Sequence, residues 1–277
     1  MAFGSISLNK TAGTYQVGAV RKALQILCQF DEHHDTLAVT EVSRRLNIPK
    51  STAHNLLRTL AAYDFLHQDP ADRRYRLGLR VFELSSLFTH HTPLLAAARP
   101  HLKRLAERTR ETVKLGLFSE DQVLILAAIE SPYQLHTRGD EGKRAPLHCT
   151  GLGKAILAVL SEAELRRIIA RTGLPKFTPR TITRLESLER ELRQIRARGY
   201  ATDLEENEAG VLCVAAPVTD RRRGLLASIS LSAPTARLDA SRLPALGAQV
   251  TAAARAVHAA LAQGNDGRRR RARTDGL

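Results

Sequence analysis

Several short stretches of this 277-residue chain hold side chains in patterns that could do chemistry. Lys50, Ser51, Thr52, His54, Asn55 and Arg58 crowd the outer side of a segment whose Ala53, Leu56, Leu57 and Leu60 recur at helical spacing. On such a helix, short donors at the N-terminal end approach a DNA backbone and longer ones reach base edges in the major groove. Arg73 and Arg74 follow in a turn between two strand signals, where they would grip flanking phosphates. Further on, Thr150-Gly151-Leu152-Gly153-Lys154 precedes an apolar helix. Glycines there either bring backbone N–H groups to an anion, which the helix dipole favours, or allow close helix packing. Both readings stand. A nucleotide P-loop does not, because His148 occupies the place of its first glycine and Ala155 that of its magnesium-holding hydroxyl.

Other polar groups read more plainly. Asp203 with Glu205 and Glu206, ahead of Gly210 and Cys213, reads as a solvated acidic run, without the His or Cys spacing of a metal site. Ser230 and Ser232 fall on one face of a strand, either bonded to backbone or lining a polar pocket. Cys149 beside His148 makes no nucleophile–base dyad by adjacency alone; both it and Cys28 are expected as buried structural cysteines. The paired histidines His33-His34 and His90-His91 are expected in solvated loops. No catalytic residue, metal or cofactor is therefore assigned.

The elements that must position these groups follow from periodicity. Val17 to Phe30 carries one apolar helical face, and Val39–Leu46 a short helix with Val42 and Leu46 together. Asn47 tolerates the left-handed conformation that stops a helix sharply, and Pro49 can open the next one. Helix, tight turn, helix and basic hairpin in that order make a winged helix-turn-helix. Residues 79–90 form an apolar-faced helix suited to a linker that pairs with a partner chain, and 93–110 another helix, interrupted at Pro100. Strands at Val113–Phe118, Val123–Ile129, Val211–Pro217 and Leu225–Leu231 alternate with helices opened by the capping box Ser161-Glu-Ala-Glu164, by Thr183–Glu186, and around Leu243–Leu261. The result is a mixed α/β domain.

Composition bounds the rest. Hydrophobic residues at 43% and charged residues at 25% exclude wholesale disorder, and no apolar run is long enough to span a membrane. The first sixteen residues lack the basic start and apolar core of a signal peptide. Three widely spaced cysteines, with no framework of pairs, fit a reducing cytoplasm. The net charge of +14 suggests a polyanion partner, yet residues 1–90 hold only +3 of it, 91–263 hold +8 and 264–277 hold +3. Charge alone would equally suit a nonspecific basic DNA-binding protein.

Leu46–Leu60, Arg74-Tyr-Arg-Leu-Gly78, Pro146–Ala158 and the stretch from Gly199-Tyr-Ala-Thr-Asp203 through Cys213 to Pro217 together resemble the IclR family of bacterial transcriptional regulators, over roughly residues 17–262. Two positions depart from its pattern: Asn47 where a turn glycine is usual, and Asn55 where arginine is common. The resemblance implies an α + α/β chain: an N-terminal winged helix-turn-helix (17–78), a linker helix (79–92) and a C-terminal GAF-like mixed α/β effector-binding domain (93–263). A disordered N-terminus (1–16) and a disordered basic tail (264–277) flank these. It also implies an effector pocket using the backbone at Gly151 and Leu152 with Asp203, Cys213, Ser230 and Ser232. The implied partners are a double-stranded DNA operator, a small organic acid and a second copy of the chain, as dimer or tetramer. A cysteine-dependent enzyme acting on a small acid is the alternative, without a base–nucleophile set to support it.

Overall fold

The computed structural model describes residues 16–220 and 224–274, with side chains as far as 263. It divides into two compact units, Met1–His91 and Thr92–Leu277. The expected N-terminal disorder falls almost wholly on residues 1–15, and the basic turn Arg221–Arg223 on the internal gap; both lie outside the described residues.

In the first unit, α1 (Gly18–Leu27), α2 (Val39–Leu46) and α3 (Lys50–Ala62) are followed by the hairpin β1 (Leu66–Gln68) and β2 (Tyr75–Leu77), then α4 (Leu79–His91). Ile26, Leu37, Val42, Ile48, Ala53, Leu57, Leu66 and Tyr75 form one core. Asn47 takes φ +50°, ψ +53° and ends α2. The Ile48 N–H then donates to Ser43 O, and the Ser43 hydroxyl donates to Ile48 O at 2.7 Å, closing the sharp turn into α3. The hairpin is held against the helices by a backbone pair, Leu37 N–H to Tyr75 O and Tyr75 N–H to Leu37 O.

The wing corrects one expectation. Arg73, at φ +62°, occupies the turn and is exposed. Arg74 instead points inward: its guanidinium donates to Thr36 Oγ1 (2.9 Å), Thr36 O (3.1 Å) and Glu41 Oε2 (2.8 Å). Glu41 also accepts the Ala38 N–H at the start of α2, and that hydrogen bond, with the Arg74 charge beside it, outweighs burial and holds its carboxyl below the usual range. Arg74 is thus a clamp between wing and helix through Nε and Nη2, with Nη1 outside those three bonds. Cys28, expected buried, is exposed where α1 ends.

The second unit starts with α5 (Pro93–Thr109), which runs through Pro100 without interruption because Leu94, Leu95, Ala98, Leu102 and Leu105 are all buried on one side while Pro100 faces out. Then come β3 (Thr112–Ser119), β4 (Gln122–Ile129), β5 (Arg144–Ala145), α6 (Gly151–Leu157), α7 (Glu162–Thr172), α8 (Leu185–Arg198), β6 (Ala201–Leu204), β7 (Val211–Asp220), β8 (Leu225–Pro234) and α9 (Leu243–Thr274). Among the described residues the sheet runs β5-β4-β3-β8-β7-β6 with every pairing antiparallel, so the expected unit of helices and strands is of the α+β kind. The tail expected to be disordered is corrected as far as Thr274: α9 continues through it, consistent with the high helix propensity of its Arg and Ala residues.

The period-2 alternation of the strands divides this sheet into two chemically different faces. Val113, Leu115, Val214, Ala216, Ile229 and Leu231 join the core beneath α5 and α9. The intervening residues face α6, beyond which Leu165, Ile168, Leu188, Leu192 and Ile195 of α7 and α8 complete a second core.

Asn47→Ala puts a residue without a local side-chain hydrogen bond into the left-handed region and should cost about 1 kcal/mol of stability, whereas Asn47→Gly should cost nothing. Urea unfolding of the two variants against the wild type checks both.

Candidate DNA interface and effector site

Helix α3 positions the first site. Ala53 and Leu57 are buried, while Lys50, Ser51, Asn55 and Arg58 are exposed and Thr52 and His54 half-buried at its N-terminal half. Burying one stripe against α1, α2 and the hairpin leaves the polar stripe facing outward, as expected from the spacing. These six side chains thus share the outward side of α3; Arg73 is exposed on the wing turn, and Arg74 is bonded to Thr36 and Glu41.

The second site lies on the polar face of the sheet. Strand register sets Asp203 opposite Cys213, Cys213 opposite Ser232 and Ser232 opposite Thr112, making one row across β6, β7, β8 and β3. In the next row Ala215 faces Ser230 and Ser230 faces Lys114. Helix α6 lies over these rows: a Cβ on Gly151 would stand 3.3 Å from Cys213 Cβ, and the Ser228 hydroxyl donates to Leu152 O at 3.0 Å. Gly151, Leu152, Asp203, Cys213, Ser230 and Ser232 are therefore brought together. Ser232 is 4% exposed and Ser230 1%, and the Ser230 hydroxyl has no hydrogen-bond partner. Close packing, one of the two readings of the glycines, holds for Gly153, whose added Cβ would fall 2.3 Å from Leu147 O.

Electrostatics at this face differ from those of a solvated acidic run. Lys154, fully buried on α6, donates to Glu206 Oε1 and lies 3.8 Å from Glu191. Asp203 is 3% exposed and accepts the Glu206 N–H at 2.7 Å. Burial pushes its carboxyl up to about 7, and the nearby Glu206 charge adds to this against the opposing hydrogen bonds and Lys154. Burial likewise raises Glu206 despite Lys154. Glu205 alone behaves as expected of a surface acid, pairing with Arg180 at 2.6 Å. Lys154 and Glu206 were not singled out as a pair by sequence. The available signal was a lysine placed before the apolar run Ala155–Leu160, where a solvated cation does not belong.

The thiols are poor nucleophiles here. Burial, then the carboxyls of Asp203 and Glu206, push Cys149 up to about 12, and burial raises Cys213 as well. His148 bonds the Pro175 carbonyl through Nε2 at 2.9 Å, and burial lowers its pKa, so it is engaged away from either cysteine. A carboxyl that keeps its proton in the fold to about pH 7 but loses it near 3.8 when unfolded makes the native state progressively less stable as pH rises through that window. Asp203→Asn removes this term while keeping an acceptor for the Glu206 N–H. Thermal melts should show it stabilising by several degrees at pH 8 and little at pH 4.

Comparison with known proteins agrees with this geometry. Residues 19–70 match the IclR helix-turn-helix domain and residues 87–259 the bacterial transcriptional regulator IclR C-terminal family. The chain is 35% identical over 245 residues to the HTH-type transcriptional regulator XynR of Escherichia coli K12, covering 88% of this chain and 97% of that one. With the regulator BhcR of Paracoccus denitrificans it shares 38% over 230 residues, 83% and 82% of the two chains. The crystal structure of an IclR regulator from Alicyclobacillus acidocaldarius superposes with TM-score 0.81 at 28% identity, covering 89% of this chain and all of that one. An IclR homologue from Microbacterium hydrocarbonoxydans, solved with 4-hydroxybenzoate, has the same fold (TM-score 0.78, 23% identity, 88% and 99% covered). With both units matched in order along nearly its whole length, this chain belongs to the IclR family of DNA-binding transcriptional regulators.

Proposed function

We propose that this regulator reads its operator with Lys50, Ser51, Thr52, His54, Asn55, Arg58 and Arg73, and that a small organic acid held between α6 and the polar sheet face sets its DNA affinity. The observation that carries the effector half is the Ser230 hydroxyl, buried and unpartnered in rows with Cys213, Ser232 and the buried Asp203. A buried hydroxyl without a partner costs free energy that a ligand oxygen would recover. The fold can hold such a molecule, since the Microbacterium homologue holds 4-hydroxybenzoate. Control requires the acid to bind the two DNA-affinity states unequally, and linkage makes the effect reciprocal.

We assign self-association to α1 and α4. Val20 and Leu24 are 56% and 57% exposed, and Leu79, Phe82 and Leu87 of α4 are 55% to 77% exposed. Helix α4 buries no residue of its own. A continuous apolar helix left this bare is what a second copy of the chain would cover, giving the two recognition helices that a palindromic site needs. A cytoplasmic location suits such a DNA-binding dimer; no described helix is long and apolar enough to cross a membrane.

Mapping the DNA bound by the protein across its genome, followed by gel shifts over a salt series with and without small acids, tests the whole reading. Equal affinity for mapped and random DNA would defeat it in favour of nonspecific binding. Arg73→Ala should weaken all DNA and lower the salt slope by about one, whereas Asn55→Ala should relax sequence preference at about constant slope. Arg74→Ala should instead lower the melting temperature of the winged unit. Phe82→Glu should weaken dimerisation about tenfold or more, read by light scattering across a dilution series, and weaken operator binding with it.

A further inference from the structure

One cation on the polar sheet face is unused by anything described so far. Lys114 stands directly opposite Ser230 in the β3–β8 ladder, so the two side chains leave the same face of the sheet. That this face looks toward α6 is shown one pleat along, where a Cβ on Gly116 would stand 3.3 Å from a Leu152 methyl. The Lys114 side chain is only 13% exposed, and among the described residues its ion-pair partner is Asp140, at 3.4 Å. That is long for a charge-assisted N–H···O bond, which ordinarily closes to about 2.8 Å. Its charge is nonetheless felt at the Cys213 thiol, two strands away.

Asp140, for its part, has other cations beside it. It accepts from Lys143 at 2.9 Å and has Arg138 at 3.8 Å. Burial alone would raise its carboxyl, but the Lys143 hydrogen bond and the two lysine charges hold it below the usual range. Losing Lys114 would leave it with two cations still beside it. The mostly buried ammonium, by contrast, has a long contact with Asp140, and its residue stands opposite Ser230, whose hydroxyl has no hydrogen-bond partner. Cross-strand partners have Cβ atoms about 5 Å apart, so the ammonium and the Ser230 hydroxyl can both donate to the two oxygens of one carboxylate.

We infer that Lys114 is the charged pole of the effector site: it takes the carboxylate of the ligand together with Ser230, exchanging the long contact with Asp140 for a shorter one with the acid. This deepens the effector reading above and rests on it. It makes the site selective for an anion over its neutral analogue, and makes Asp140 a built-in competitor. The remainder of the ligand then extends along the row toward Cys213 and Asp203, which offer a thiol and a buried carboxyl to a hydroxyl or carbonyl group.

The test uses the purified full chain and matched pairs of a carboxylate and its amide: 4-hydroxybenzoate with 4-hydroxybenzamide, pyruvate with pyruvamide, lactate with lactamide. Binding is read as a rise in melting temperature over a millimolar titration. At least one acid should stabilise the wild type where its amide does not. Lys114→Gln should then weaken that acid about tenfold or more, Lys114→Arg should retain most of the affinity, and Asp140→Asn should tighten it severalfold. The tightening is the decisive arm, because a lysine with a merely structural role gives no reason for it, and circular dichroism without ligand identifies any variant that fails to fold. Acid binding unchanged in both Lys114→Gln and Asp140→Asn overturns the role of Lys114 and leaves the effector site standing. Amides that bind as well as their acids overturn the carboxylate pole. A wild type that no member of the panel stabilises overturns both.

Discussion

The buried ion pair between Lys154 and Glu206 is the constraint around which the proposed effector site is built. An ammonium taken fully out of water needs a partner at close range, and removing one member of such a pair costs about 3–5 kcal/mol. The pair ties α6 to the turn after β6, and the surrounding bonds hold that turn still. Thr178 donates to Glu205 O at 2.7 Å and Thr181 to Glu206 O. The Glu206 N–H in turn fixes Asp203. At the other end, Thr150 caps α6 through the Gly153 N–H, and Gly153 fits against Leu147 only because it has no side chain. Gly151 and Leu152 are thereby held over Cys213 and Ser228, and the polar rows acquire a roof at fixed height. Buried charge of this kind contributes placement more than stability.

An analogous device organises the winged unit. The Arg74 guanidinium joins the hairpin to Thr36 and to Glu41 at the start of α2, so the wing and the helix before the recognition helix are tied by one planar group. An arginine suits the task because its fork can serve a hydroxyl, a carbonyl and a carboxylate at once. With Arg74 spent on geometry, Arg73 is left at the turn for a partner.

The helix-turn-helix was legible because local rules and burial agree there: an apolar stripe at helical spacing, Asn47 to stop, Pro49 to start, and Asp69-Pro-Ala-Asp to turn. Strands β3, β4, β7 and β8 were legible to within three residues at each end, since their alternation is regular. The short strands β5 and β6 were not, being two and four residues long, below the length at which period 2 is distinguishable from loop. Cys213, Ser230 and Ser232 were found by resemblance, yet their union in adjoining rows is a matter of register between strands distant in sequence. Burial is likewise a tertiary property. Asp203, Glu205 and Glu206 look alike in the sequence, and packing makes two of them interior groups with raised pKa values while leaving the third paired at the surface.

Arginine accounting shows the same separation of composition from chemistry. A formal charge of +14 invites the expectation of a broad DNA-attracting surface. Many of the cations are committed internally. Arg196 donates to Ala158 O and Leu160 O, closing α8 onto the end of α6; Arg237 makes a two-point pair with Glu111 and stacks 4.6 Å from the Tyr133 ring centroid; Arg76 pairs with Asp69 within the wing. Lys154 is wholly enclosed. What remains for the proposed sequence reading is a small set on α3 and one residue on the wing, so under that proposal specificity comes from where those few groups are held. The long-range field would then act on approach to DNA, with Arg74 and Asn47 holding the elements that carry those groups.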